Sequence, residues 1–153
     1  MSFYSSLGIS GSGLTAEQTR MDTIADNIAN VNTTQTASGG PYQRENVVFT
    51  PLSDTAPPFA PPTPPTPLAN GGISQKLPVG VQVSSIITDR KGQRLVYEPT
   101  NPAANGQGYV AYPNVNLITE VSDMMGAQRA YQANVTAMNA TKAMAVKALE
   151  IGK

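Results

Sequence analysis

The chain has no cysteine, no histidine and no tryptophan among its 153 residues. These absences exclude disulfides, thiolate nucleophiles, imidazole acid–base chemistry and nearly all ordinary transition-metal sites. Charge is scarce as well. Ten basic and ten acidic side chains make up 13% of the residues and cancel to zero, so the chain lacks the positive field that nucleic acid or an anionic membrane selects. No run reaches the roughly 20 apolar residues of a membrane span, so no membrane-spanning segment is expected. The start, MSFYSSLGIS, has neither the basic nor the long apolar region of a cleaved signal peptide. A thiol-free chain is compatible with an oxidising destination, and any export is then expected to proceed without an ordinary cleaved signal.

Carboxylates, hydroxyls and lysines are what remain for chemistry. Asp22 and Asp26 stand at i, i+4 on one helical face, but with no histidine and no further carboxylate cluster they read as a solvated face rather than a cation or acid–base site. The glycines of GISGSG, residues 8–13, match neither dinucleotide nor phosphate-loop spacing, and no Lys-Ser or Lys-Thr follows. No metal, no cofactor and no enzymatic activity are expected.

The chain does contain heptads. Leu7, Leu14, Met21 and Ile28 recur every seven residues and Ile24 and Val31 fill the alternate position, which predicts a helix over about residues 5–32. Gly8, Gly11 and Gly13 each cost about 1 kcal/mol inside a helix, so its first turns are expected to fray unless a neighbour holds them. The far end repeats the pattern more fully: Leu117, Val121, Met124, Gln128, Tyr131, Val135, Met138, Lys142, Ala145 and Leu149 alternate steps of four and three. Asn116 is placed as its N-cap and Gly152 as its end. At 1.5 Å per residue such a helix spans about 54 Å, too long for a small domain to bury. Alanines 127, 130, 133, 137, 140, 143 and 148 widen the stripe with small side chains, implying that more than one neighbouring helix approaches.

Between the ends, residues 51–67, PLSDTAPPFAPPTPPTP, carry eight prolines and predict an extended spacer. From residue 79 the pattern alternates: VGVQVSSIITD and QRLVYEP, separated by DRKGQ, read as a hairpin, with GYVAY as a third strand after the NPAANGQ loop. The expected fold is mainly α with a small β part. Long N- and C-terminal helices form a coiled-coil-like pair, joined by a Pro-rich link and a small β hairpin or sheet segment. The divisions are an N-terminal helical segment over 1–34, an extended linker over 35–72, a β-rich segment over 73–113 and a C-terminal helix over 114–153.

One short stretch, DNIANVNTTQT at 26–36, sets Asn27, Asn30 and Asn32 at the end of the first helix. Asparagine is tolerated at helix C-termini and turns, and a buried amide is satisfied in one register only, as a polar residue at a coiled-coil core position is. These amides are expected to stop the helix and fix how it docks.

Several motifs point the same way. ANVNTT (29–34), GGPYQRENVVF (39–49), LVYEPTNPAANGQGYVAYPNVN (95–116) and AQRAYQANV (127–135) resemble the bacterial flagellar rod and hook axial protein family, and within it the proximal-rod members. The likeness runs in order along nearly the whole chain, departing from the family at the long proline segment. It implies a structural subunit exported by the flagellar type III apparatus and assembled in the periplasmic rod of the basal body, part of a tubular drive shaft and export channel. It also implies partners: other copies of itself, rod proteins of the FlgB, FlgF and FlgG type, the rod-base adaptor FliE, the MS-ring protein and the export apparatus. Combined with the heptads, it assigns the assembly interface to Leu7, Leu14, Met21, Ile24, Asn27, Ile28, Asn30, Val31 and Asn32 on the first helix. On the last helix it assigns Leu117, Val121, Met124, Gln128, Tyr131, Asn134, Val135, Met138, Ala145 and Leu149. A coiled-coil export adaptor or chaperone, and a secreted needle-type subunit, remain alternatives at this point.

Overall fold

The computed structural model describes residues 3–37, 39–52, 80–90 and 92–151. The proline run beyond Leu52, and Gly152, lie outside the described residues. The chain is mainly helical with a small β part: α1 (Phe3–Ala29), β1 (Glu45–Pro51), β2 (Val81–Thr88), β3 (Arg94–Tyr97), β4 (Tyr109–Tyr112) and α2 (Leu117–Ile151).

α1 runs unbroken for 27 residues, through the three glycines expected to fray it. The reason is α2. A Cβ on Gly13 would stand 2.8 Å from the amide nitrogen of Asn134, and one on Gly11 would stand 3.9 Å from Met138. The missing side chains let the two backbones approach closely, and that packing offsets the helix propensity lost at glycine. The same contacts give the direction. Gly11 faces Met138, Gly13 faces Asn134 and Asn27 bonds Glu120, so the helices are antiparallel. Eight residues before Gly11, the start of α1 is level with about Val146, and the end of α2 projects past it. α2 is 35 residues long, about 53 Å. Asn116 caps it: its Oδ1 accepts from the Ile118 and Thr119 N–H groups at 3.0 and 3.4 Å.

The strands form two separate two-stranded antiparallel sheets, β1–β2 and β3–β4. This corrects the expected hairpin: VQVSSIIT pairs with Glu45–Pro51, not with RLVY, and the hairpin partner of RLVY is YVAY. Alternation identifies strands but carries no information about partners, and β1, adjoining the prolines, falls within the stretch read as linker. In β1–β2 the register steps between Val48↔Ser85 and Phe49↔Val83, leaving Ser84 as the extra residue of a bulge. Both strands lie on α1. Gly80, at φ +148, brings the start of β2 onto the helix. There Ser12 Oγ accepts from the Val81 N–H at 3.1 Å and itself donates to the Ile9 carbonyl at 2.8 Å. A Cβ at residue 80 would run into Ser12 Oγ.

Buried apolar side chains among the described residues are few: Ala16, Ile24, Val110 and Ala127. Thr23, Asn27, Glu120 and Thr141 are buried beside them, so polar residues share in holding the helices together.

Candidate functional site

Asn27 is 1% exposed and meets three elements at once. Its Nδ2 donates to the Glu45 carbonyl at 2.8 Å and to Glu120 Oε2 at 3.2 Å. Its Oδ1 accepts from the Glu45 N–H at 2.9 Å and from the Tyr42 hydroxyl at 3.0 Å. Two donors and two acceptor lone pairs are the whole capacity of the amide, and each is used. Buried Glu120 accepts at Oε1 from Arg44 Nε. Arg44 also reaches Asp123 at 3.6 Å, and its main-chain N–H donates to Asn114 Oδ1 at 3.3 Å. This node ties the end of α1, the chain leading into β1 and the first turn of α2 into one arrangement. Burial, and after it the carboxylates of Glu45, Asp26 and Glu120, push the Tyr42 hydroxyl up from 10.0 to about 12, so it stays a proton donor across the ordinary pH range.

A cleft of about 270 Å³ opens beside the node, lined by Arg20, Thr23, Ile24, Arg44, Val47 and Phe49 among others. Among the described residues no group of three or more carboxylates is placed to hold a metal, and no helix is long and apolar enough to cross a membrane.

The residues assigned to assembly fall into three environments. Ile24 and Asn27 are buried within the chain, and Asn27 makes all its bonds there. Leu7, Leu14, Met21 and Ile28 are half-buried along the margins of α1, and in the turn that follows Asn30 and Val31 are half-buried and Asn32 is exposed. Asn30 works at the helix end: Nδ2 donates to the Asp26 carbonyl at 3.0 Å, and Oδ1 accepts from the Thr33 hydroxyl at 3.1 Å. On α2, Met124, Tyr131, Asn134, Val135, Met138 and Ala145 are half-buried. Leu117, Val121, Gln128 and Leu149 are exposed.

The face of α2 covered within the chain therefore runs through residues 120, 124, 127, 131, 134, 138, 141 and 145. It shares every second position with the apolar heptad and lies one residue earlier at the others. Small Ala127 and Thr141 are buried where Gln128 and Lys142 were expected. Gly13 and Ala16 are buried on the facing helix, and helices this close accept small residues at their contact line. Several larger apolar side chains near the start of the helix are turned outward: Leu117 47%, Ile118 79%, Val121 45% and Met125 49% exposed. Toward the other end Met144, Val146 and Leu149 are exposed as well. Arg44, Tyr42 and Glu120 were not singled out from the sequence. The one available signal was Glu120 in the first turn of α2, four residues before Met124.

A family profile described as flagella basal body rod protein matches residues 7–35, and one described as flagellar basal body rod FlgEFG protein C-terminal matches residues 107–151. The matched segments hold α1 and α2, hence Asn27 and Glu120, while Tyr42 and Arg44 lie in neither. The chain is 43% identical to the flagellar basal-body rod protein FlgC of Borreliella burgdorferi, over 99% of this chain and 98% of that one. It is 41% identical to FlgC of Bacillus subtilis over the full length of both, and 37% identical to FlgC of Salmonella typhimurium over 95% and 94%. With identity at this level spanning both chains end to end, this chain belongs to the FlgC family of flagellar basal-body rod proteins.

Proposed function

We propose that the chain is a structural, non-enzymatic subunit of the flagellar basal-body rod, located in the basal body and joined to its neighbours through the outward face of α2. The observation that carries this reading is an apolar stripe left uncovered on a helix of 35 residues. Leu117, Ile118, Val121 and Met125 begin it, exposed Ala133, Ala137, Ala140 and Ala143 continue it with small side chains, and Met144 closes it. Covering one large apolar side chain contributes roughly 1.5–3 kcal/mol, so a neighbour seated on several of them is held firmly. Within each subunit α1 and α2 act as a coiled-coil-like pair, the unit that packs into the wall of the tube.

The neighbours in this reading are further copies, other rod proteins of the FlgB, FlgF and FlgG type, the adaptor FliE and the MS-ring protein. Delivery is through the flagellar type III export apparatus into the periplasm. A free adaptor or chaperone would leave the same stripe open in the cytoplasm. Electron microscopy of basal bodies from cells lacking the chain, beside cells carrying Val121→Asp with Met125→Asp, separates the readings. Basal bodies ending at the membrane ring in both strains are expected. Complete rods and hooks without the chain overturn the proposal.

A further inference from the structure

The cleft beside the Asn27 node has an apolar floor and a charged rim. Val47 and Phe49, two apart on β1, share one face of the strand and line the cleft together with Ile24 of α1. Both are only half-buried by their own chain. Arg20 and Asp123, each with a side chain 41% exposed, form the rim. The cleft volume of about 270 Å³ matches about nine waters at roughly 30 Å³ each, so it takes the side chains of a valine and a methionine together. On the other side of the same stretch of α2 lies the start of the uncovered stripe. At about 100° per residue, Leu117, Ile118, Val121 and Met125 fall within one arc of about 100° and form a single patch. Glu120 and Asp123, which line the cleft, point about 145° away from the middle of that arc. Patch and cleft therefore stand at one level of the molecule on nearly opposite sides of one helix. Their charges are also opposite. Arg129, one turn beyond Met125, is the only charged residue among the exposed ones of 117–133, and it has no ion-pair partner among the described residues. In the cleft the single guanidinium of Arg44 serves two carboxylates, Glu120 and Asp123, which leaves negative charge in excess.

We infer that the patch at the start of α2, Val121 and Met125 foremost, seats in the cleft between α1, β1 and α2 of a second copy of this chain, with Arg129 reaching the Asp123 of that copy. The inference rests on the rod-subunit reading and names what the start of the stripe sits on. Two observations favour a second copy over a different protein. The patch and the cleft share one level of the molecule, so a sideways step with little shift along the axis carries one onto the other. Because the two surfaces differ, the contact is heterologous and the same step repeats from copy to copy, as a helical assembly requires. The charges left over within one chain are the second observation: the cation beside the patch and the carboxylate at the cleft are each what the other lacks, and such complementarity fixes partner and register. Arg129 lies about 9 Å along α2 from the level of Asp123, a gap closed by an extended arginine side chain and a stagger of less than one turn between copies.

The natural chain has no cysteine, so introduced thiols stand alone. Two differently tagged chains, Met125→Cys and Val47→Cys, are expressed together with the unmodified chain so that rods form, and purified basal bodies are oxidised. A disulfide-linked species carrying both tags is expected, lost on reduction and lost when either variant is expressed without the other. Val121→Cys with Arg20→Cys supplies a second pair should the first disturb β1. Basal bodies that contain both tagged chains yet give no doubly tagged species with either pair overturn the inference. That includes the case in which the Met125→Cys thiol is shielded from a maleimide by some other protein. Failure of the underlying reading shows elsewhere, as absence of the unmodified chain from the same basal bodies.

Discussion

Removing the amide of Asn27 is expected to weaken the fold by about 2–3 kcal/mol, and changing it to a carboxyl by more. Asn27→Ala breaks four hydrogen bonds of 2.8–3.2 Å at a site 1% exposed. Their losses are unequal. The Tyr42 hydroxyl sits in a half-buried position from which it reaches water, and Glu120 keeps Arg44. The N–H and C=O of Glu45, by contrast, lose a partner behind the end of α1. An orphaned buried polar group costs about 1–1.5 kcal/mol toward the low end of the usual range, and two such groups give the figure above. That is a large share of the roughly 5–15 kcal/mol that holds a domain folded. Asn27→Asp keeps the shape but replaces the NH2 group, and with it both donors, by one oxygen that faces the Glu45 carbonyl and the Glu120 carboxylate, adding about 1–2 kcal/mol. Combining it with Glu120→Gln restores a donor, so the double variant is expected to recover at least about 1 kcal/mol relative to additivity. Urea unfolding of the purified full chain at pH 7, followed by far-UV circular dichroism, measures the parent, Asn27→Ala, Asn27→Asp, Glu120→Gln and the double variant. Asn27→Ala within about 0.5 kcal/mol of the parent, or Asn27→Asp no worse than Asn27→Ala, refutes the reasoning.

Three further outcomes follow from the same geometry. Burial and the neighbouring carboxylates push Tyr42 from 10.0 to about 12, so the folded state favours the neutral phenol. Its contribution is complete below pH 10 and is lost as pH rises from 10 toward 12, and stability measured across that window falls less in Tyr42→Phe. Gly80→Ala forces a side chain into a left-handed backbone and against Ser12, and a loss of about 2 kcal/mol or more in urea is expected. Ser12→Gly in the same chain returns part of that loss, and no return counts against the contact. Asn116→Ala removes the N-cap of α2 and costs about 1 kcal/mol, whereas Asn116→Asp costs little; equal melting temperatures for the two variants contradict the cap.

Element type was legible wherever a single period ran long. The alternating steps of four and three from Leu117 onward identified α2 nearly to the residue, because 35 consecutive helical residues leave room for every heptad position to be sampled. Asn116 was legible as its cap because only a short polar side chain there reaches the first free N–H groups. Pairing was not legible. β1 and β2 are joined across residues 52–80, and nothing local in ENVVFTP distinguishes a strand from the extended chain beside the prolines. The burial of α2 was half legible: Met124, Tyr131, Met138 and Ala145 line the covered face, but Glu120, Ala127 and Thr141 take the alternate places. An apolar heptad records all the partners a helix meets, those in its own chain and those outside it. A helix serving two neighbours spreads its large side chains over two faces, and sequence alone does not say which neighbour takes which.

That division bears on why the node at Asn27 is polar. Were the docking of α2 left to apolar burial alone, either face would dock on α1 with similar gain, and the chain would face two competing packings. The inward face alternates Met124, Tyr131, Met138 and Ala145 with Glu120, Ala127, Asn134 and Thr141, while the outward face near the start of the helix carries Leu117, Ile118, Val121 and Met125, so apolar gain alone does not separate the two. A buried carboxylate is costly unless paired. Glu120 is paired only where Asn27 and Arg44 meet it, and a rotation of α2 strips it of both. The ion pair and the fully bonded amide thus select the orientation of α2, as a polar core residue selects register in a coiled coil. The apolar stripe is thereby kept outside, available to a neighbour. The Asn27→Ala chain should accordingly lose rod incorporation more steeply than its 2–3 kcal/mol loss of stability requires, because a rotated α2 no longer presents its stripe. Incorporation that tracks stability alone across Asn27→Ala, Asn116→Ala and Gly80→Ala would falsify that link.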